Sequence, residues 1–250
     1  MNKPGRIAQV IGMTGVRIAA AAILFGAAAI ELAAKPPGPS PLSSASVRSA
    51  DAIAKARALA VDLVKTKQIP GFAVAVGRNG TILWSEGFGL ANVEQQVAAT
   101  PLTRFRLGSV SKVLTAAGVA RLVETGRLDL DAPVQRYVPA FPLKQWPVST
   151  RQLAGHTGGI RHYLPEDFKG ALKGAPHFDS VAGSLALFAN DSLAFEPGTQ
   201  YSYSSYGWNL ISAVIEGASG QDFLSFMQAE VFEPLGLRSL AADHVFQIVP

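Results

Sequence analysis

Of the 250 residues 48% are hydrophobic, and 22 Lys and Arg against 18 Asp and Glu leave a formal net charge of +4. This is globular composition, long enough for one large domain or two small ones, and its basic residues are too dispersed to favour nucleic acid as a partner. The absence of cysteine excludes a disulfide scaffold, a thiolate metal site, a cysteine nucleophile and a lipoprotein anchor, and no His, Asp or Glu cluster has metal-ligand spacing.

Residues 1–34 differ from the rest. Lys3, Arg6 and Arg17 precede an apolar run over residues 18–30, with a small-x-small cleavage site at Ala27-Ala28-Ala29. Thirteen residues are too few for a membrane span and suit a signal-peptide core. Residues 1–34 therefore read as a signal peptide or N-terminal anchor, and residues 35–47 as a Pro/Ser-rich linker. Residues 48–250 read as the folded domain. The expected location is exported, periplasmic or membrane-tethered. Arginines with no acidic residue before Glu31 keep a mitochondrial transit peptide open as the alternative.

Apolar periodicity predicts a helix over residues 47–67, stopped by Pro70-Gly71. Residues 72–76 read as a buried strand and 82–89 as its return. Asn79-Gly80 sits between them and tolerates the positive φ values of a type I′ turn. Residues 91–103 read as loop. A helix is expected over residues 111–124, with Val113, Leu114, Ala117, Ala120, Leu122 and Val123 as apolar positions and Gly126 as its stop. After a turn-rich stretch, residues 150–153 open a short helix. Residues 156–175 read as a surface excursion, and Pro197-Gly198 as a turn. Further helices are expected over 180–190, 209–217 and 223–231. A hairpin followed by mostly helix predicts an α+β fold.

Two segments carry chemistry. Gly108-Ser109-Val110-Ser111-Lys112 places a serine and a lysine one helical turn apart on one face. Serine is a weak nucleophile that needs a base, and a lysine amine at this spacing reaches its hydroxyl. The positive end of the helix favours an alkoxide-like transition state. Together with burial it is expected to lower the Lys112 pKa toward a neutral amine. The second segment is Pro197-Gly198-Thr199-Gln200-Tyr201-Ser202-Tyr203-Ser204-Ser205-Tyr206-Gly207. Asp191 and Glu196 read as helix-end and turn positions, and His162 and His177 as surface residues rather than metal ligands.

With Gly155-His156-Thr157-Gly158-Gly159-Ile160 between them, these motifs resemble the class C β-lactamase and penicillin-binding-protein superfamily. Gly159-Ile160-Arg161-His162-Tyr163 and Ser184-Leu185-Ala186-Leu187-Phe188-Ala189-Asn190-Asp191 are similar to its mitochondrial β-lactamase-like serine peptidase branch. The resemblance spans residues 50–237 and implies a β-lactamase/transpeptidase-like fold, an antiparallel sheet flanked by helices plus a helical subdomain. It implies Ser109 as nucleophile, Lys112 as general base and Tyr203 as a second proton-transfer group. It also implies that the Ser109 backbone N–H supplies half of an oxyanion hole. Ser205 stands where the family carries an asparagine that meets the substrate amide, which points away from broad β-lactam hydrolysis. The implied reaction is acyl-enzyme hydrolysis of a peptide, D-amino-acid peptide, ester or β-lactam, with neither cofactor nor metal. His156-Thr157-Gly158 matches the family's structural turn. The family's third motif, Lys-Thr-Gly or His-x-Gly, has no counterpart after Tyr203, and the resemblance implies that the C-terminal sheet strands are missing. A non-catalytic binder of cell-wall-like peptides or a partner protein is the alternative function. A remnant that self-associates through an exposed strand edge is a third.

Overall fold

The computed structural model describes residues 44–168 and 178–242. The expected export segment, most of the linker and His177 lie outside them. Helix α1, Ser44–Thr66, begins within the expected linker, and the chain divides into two units, the second being Leu63–Pro250. Among the described residues no helix is long and apolar enough to cross a membrane. All that follows lies in the second unit.

The hairpin forms where its sequence places it, but its first strand is not the buried one expected: Phe72 and Val74 are half-buried, and Ala73, Ala75 and Val76 face out because only a three-stranded sheet is present among the described residues. Strand β1, Gly71–Arg78, pairs antiparallel with β2, Thr81–Asn92, from Gly71 opposite Gly89 to Arg78 opposite Thr81. Asn79 and Gly80 turn the chain with φ of 50° and 73°, the conformation that Asn-Gly accepts cheaply. A bulge between Val76 and Gly77 shifts the register and adds local twist. Phe72 stacks on Phe88, with ring centroids 5.4 Å apart. A two-residue strand β3, Val97–Ala98, extends the sheet in the order β1-β2-β3, inside the segment expected to be loop.

Helix α2, Ser111–Glu124, has the expected bounds but not the expected buried face. Its buried positions are Thr115, Gly118, Val119 and Leu122, spaced i, i+3, i+4 and i+7. Val113 is 69% exposed, and Ala120 and Val123 also face out. The stripe was obscured because Thr115 and Gly118 do not score as apolar. Gly118 is where α2 meets Met227 and Phe226: a β-carbon there would stand 2.7 Å from the methionine sulfur.

Helix α3, Thr150–Ala154, carries a capping box in which Ser149 and Gln152 bond each other's backbone N–H. Residues 180–190 form two pieces, α4, Val181–Ser184, and a 3-10 turn, Leu185–Leu187. Helix α5, Ser205–Ser219, starts four residues before the expected position because the Ser204 hydroxyl accepts the Gly207 N–H and caps it. Helix α6, Phe223–Met227, widens into a π turn, Gln228–Phe232.

Helix α5 is the axis of the core. Leu210, Ile211, Val214 and Ile215 are fully buried against Val119 and Leu122 of α2, Phe226 of α6, and Val134, Val148 and Leu153. Tyr206, in its first turn, stacks on buried Phe188 at 4.6 Å. Burying this set at about 25 cal/mol per Å² fixes where both ends of α5 lie, and its N-terminus leads directly from Tyr203.

Candidate active site

Ser109 sits in a 3-10 turn, Gly108–Val110, that runs without a break into α2. Gly108 precedes it at φ 53° with open space around its α-carbon, so the turn selects glycine by backbone conformation. The Ser111 hydroxyl donates to the Gly108 carbonyl at 2.5 Å and ties the turn to the helix. One helical turn on, Lys112 directs its Nζ at the Ser109 Oγ, 3.2 Å away.

Tyr203 reaches the same atom from a segment 94 positions further along the chain, its phenolic oxygen 2.6 Å from the Ser109 Oγ. Lys112 lies over the Tyr203 ring at 5.1 Å and donates to the Ser205 Oγ at 3.5 Å. The Lys112 ammonium, then the Ser109 hydroxyl, lower the Tyr203 phenol below its ordinary 10, because both stabilise the phenolate. All four sequence candidates, Ser109, Lys112, Tyr203 and Ser205, thus meet in one hydrogen-bonded group.

The Tyr203 segment has no regular structure of its own. It is held by the Gly-rich chain preceding Arg161. Ala194 N–H donates to the Gly159 carbonyl at 2.9 Å, Gly198 N–H to Thr157 at 2.8 Å, and Ser202 N–H to His156 at 2.9 Å. Gly159 is required by close approach, since a β-carbon there would stand 2.5 Å from the Phe195 carbonyl oxygen. The Ser204 hydroxyl donates to the Arg161 carbonyl at 2.8 Å. Ser204 N–H and Ser205 N–H each donate at 3.1 Å, to the Nδ1 of His156 and of His162. His162 is therefore half-buried and bonded to the segment, not the free surface residue expected from its polar neighbours.

Behind these lies an ionic group. Arg161 forks onto Asp167 at 2.8 and 3.0 Å and donates to Asp191 at 2.5 Å. Asp191 is thus an ion-pair partner rather than the helix-end cap expected for it. Tyr206 donates to Asp167 at 2.9 Å. The Asp167 carboxyl is held well below its ordinary range by Arg161 and the Leu164 N–H. Burial, and then Asp167, push Tyr206 up to about 12. Lys144 donates to the carbonyls of Ala189 and Asp191, fixing the far side.

A cleft of about 610 Å³ opens between residues 104–108 and 239–242. It touches the site at Gly108 and Ser111 but includes neither Lys112 nor Tyr203. Among the described residues no group of three or more His, Asp or Glu could hold a metal ion. The supports that sequence reasoning missed are His156, His162, Arg161, Asp167 and Tyr206. The signal available was density: seven side chains capable of ion pairs or hydrogen bonds over residues 156–167, inside a stretch read as an excursion for its glycines and charges.

The Beta-lactamase family model matches residues 56–244. The human mitochondrial serine beta-lactamase-like protein LACTB is 34% identical over 233 residues, covering 67% of this chain and 42% of that protein. Esterase EstB of Burkholderia gladioli is 33% identical over 209 residues, covering 77% of this chain and 52% of the esterase. The octameric penicillin-binding protein homologue from Pyrococcus abyssi superposes with a TM-score of 0.66 at 29% identity, over 74% of this chain and 43% of that one. The chain therefore spans about half, or less, of the length of these relatives. With the hairpin, the helical core and the Ser109 turn in place, this chain belongs to the beta-lactamase family of serine hydrolases and penicillin-binding-protein homologues.

Proposed function

We propose that Ser109 is the nucleophile of an acyl-transfer hydrolase, with Lys112 and Tyr203 as its proton-transfer groups. The observation that carries this reading is the convergence of the Lys112 amine at 3.2 Å and the Tyr203 phenol at 2.6 Å on one serine oxygen, within reach for proton transfer. In the proposed cycle Lys112, once deprotonated to its neutral amine, takes the Ser109 proton as Oγ attacks a carbonyl carbon. Tyr203 shares that proton and returns it to the leaving group, whose bond to carbon breaks. A water then attacks the ester on Ser109, gives its proton back through the same pair, and releases the acid. The lowered Tyr203 phenol supports its share in this transfer. The Ser109 N–H at the start of the α2 turn contributes to stabilising the oxyanion.

The substrates proposed are peptides, D-amino-acid peptides, esters or β-lactams. Ser205 stands 3.5 Å from Lys112 and presents a short hydroxyl where a carboxamide would reach further. This favours small esters and peptides over broad β-lactam hydrolysis. The basic-then-apolar residues 1–34 support export to a periplasm or tethering to a membrane, and the similarity to a mitochondrial protein keeps that compartment as the alternative.

Labelling with a fluorophosphonate and a tagged penicillin, read by intact mass, tests the assignment. Stoichiometric labelling that vanishes in Ser109→Ala is expected; full labelling of Ser109→Ala overturns it. Saturable binding of cell-wall-like peptides without turnover, indifferent to that substitution, turns the reading to a non-catalytic binder.

A further inference from the structure

We infer that His156 and His162 are positioning residues, a pair of neutral imidazoles that clamp the backbone on either side of the Ser204–Ser205 peptide and hold Tyr203 against Ser109, and that protonating them opens the clamp. This rests on the reading of Tyr203 as a partner of Ser109.

The two bonds are to consecutive backbone N–H groups, Ser204 to the Nδ1 of His156 and Ser205 to the Nδ1 of His162, each at 3.1 Å. A backbone N–H only donates, so each Nδ1 must accept, and each ring keeps its single proton on Nε2. An imidazolium has no acceptor at Nδ1. Protonation therefore does more than weaken these bonds: it sets a donor against a donor. Ser204 is also the N-cap of α5. Its N–H and that of Ser205 belong to the group no helical carbonyl can satisfy, and the positive helix end repels a cation there.

The same rings touch Tyr203 directly. Its centroid is 4.5 Å from that of His156, tilted at 34°, and 5.3 Å from that of His162, edge-on at 78°. Each imidazole thus fixes both the backbone just after Tyr203 and one side of its ring. His156 takes this pose at φ 58°, a conformation that few side chains accept. The charged and titratable groups acting on the pair are Lys112 of α2 on both rings and His162 on His156. Tyr201 and Tyr203 also face His156, Tyr163 and Tyr203 face His162, and Trp208 of α5 lies 6.2 Å from His156. Arg161, beside His162 in the chain, is itself occupied by Asp167 and Asp191. Burial first, then the Lys112 ammonium, push both imidazoles below their ordinary 6.5. The clamp is therefore closed at and above pH 6.5 and lost as pH falls through the lower folded values.

The test is backbone amide exchange at Ser204 and Ser205, corrected for intrinsic rates, from pH 8 to 5, with the imidazole C–H resonances marking protonation. Asparagine is the informative replacement, because its Oδ1 occupies the place of Nδ1, cannot be protonated in this range and tolerates the positive φ at 156. Protection of both amides is expected to fall about tenfold as the imidazoles titrate, on the scale of one lost hydrogen bond, and to persist to pH 5 in the His156→Asn, His162→Asn double variant. His162→Ala is expected to expose Ser205 at pH 8 while leaving Ser204 protected. Unchanged protection while the rings titrate overturns the proposal, as does a double variant with the wild-type pH dependence. If the double variant does not fold, the wild-type titration decides. The Ser109 labelling rate is a separate readout, expected to lose its steep acid limb in the double variant. No labelling of the wild type at any pH removes the hydrolase reading, and amide exchange still decides the clamp.

Discussion

Tyr203→Phe removes a single oxygen, the one 2.6 Å from the Ser109 Oγ. The ring contacts with His156 at 4.5 Å, His162 at 5.3 Å and Lys112 at 5.1 Å do not need it. The residue is 36% exposed, so the stability change should stay within about 0.5 kcal/mol. Rate should behave differently. A positioned general acid–base group is worth roughly 10²–10⁴-fold, which is about 2.7–5.4 kcal/mol at 1.36 kcal/mol per decade. The assay is the second-order rate of fluorophosphonate labelling at Ser109, followed by intact mass across pH. Because Lys112 and Ser109 lower the phenol below 10, the phenolate is populated above that lowered value and lost below it. The wild-type rate should therefore climb as pH rises toward the lowered value and then flatten. The phenylalanine variant should be slower by at least about a hundredfold and should lack that limb. A variant that labels within about threefold of wild type, on the same pH profile, refutes a proton-transfer role for Tyr203.

Two further expectations concern what holds the site. Asp167→Asn leaves Arg161 with Asp191 as its remaining ion-pair partner among the described residues and sets an amide N–H against the guanidinium fork, while the asparagine Oδ1 still accepts from Tyr206; it should cost about 1–3 kcal/mol, the range for a donor left unpaired, read as a shift in urea midpoint at constant m-value. Since the Asp167 carboxyl is depressed in the folded state, its contribution is complete above the ordinary value near 3.8 and lost as pH falls through the folded one; melts from pH 7 to 2 should show that loss in wild type and not in Asp167→Asn. Leu210→Ala, at a fully buried position on α5, should cost about 2–5 kcal/mol. Its Tm should fall by roughly 2–4 °C per kcal/mol, with Ser109 labelling unchanged wherever the protein is folded.

What the sequence made legible depended on locality. The Asn79-Gly80 turn, the α2 bounds and the Ser109–Lys112 pair are each set by backbone conformation or helical spacing within a few residues, and all appear as read. The buried face of α2 was not legible, because Gly118 is buried by the approach of Met227, for which nothing in α2 gives a signal. The early start of α5 was hidden by polarity: Ser204 reads as loop until its capping of Gly207 is seen. The pairings of Arg161 with Asp191, and of His162 with Ser205, join residues 30 and 43 positions apart. No local pattern specifies them, and each partner taken alone resembles a solvated side chain.

The two halves of the site are built by different means, and this decides where it is vulnerable. Ser109 and Lys112 share one helical turn, so any condition that preserves α2 preserves their spacing. Tyr203 comes from irregular backbone, and its position depends on the carbonyls of His156, Thr157 and Gly159, two imidazoles, and the Arg161 ion pairs. Hydrogen bonds of this kind contribute about 1 kcal/mol each, so losing one loosens the segment without unfolding the core that α5 organises. A shift of about 1 Å in a reacting group costs as much as 10²-fold in rate. Changes at His156 or His162 should therefore register in the chemistry at Ser109 before they register in global stability. Changes along α5 should do the reverse.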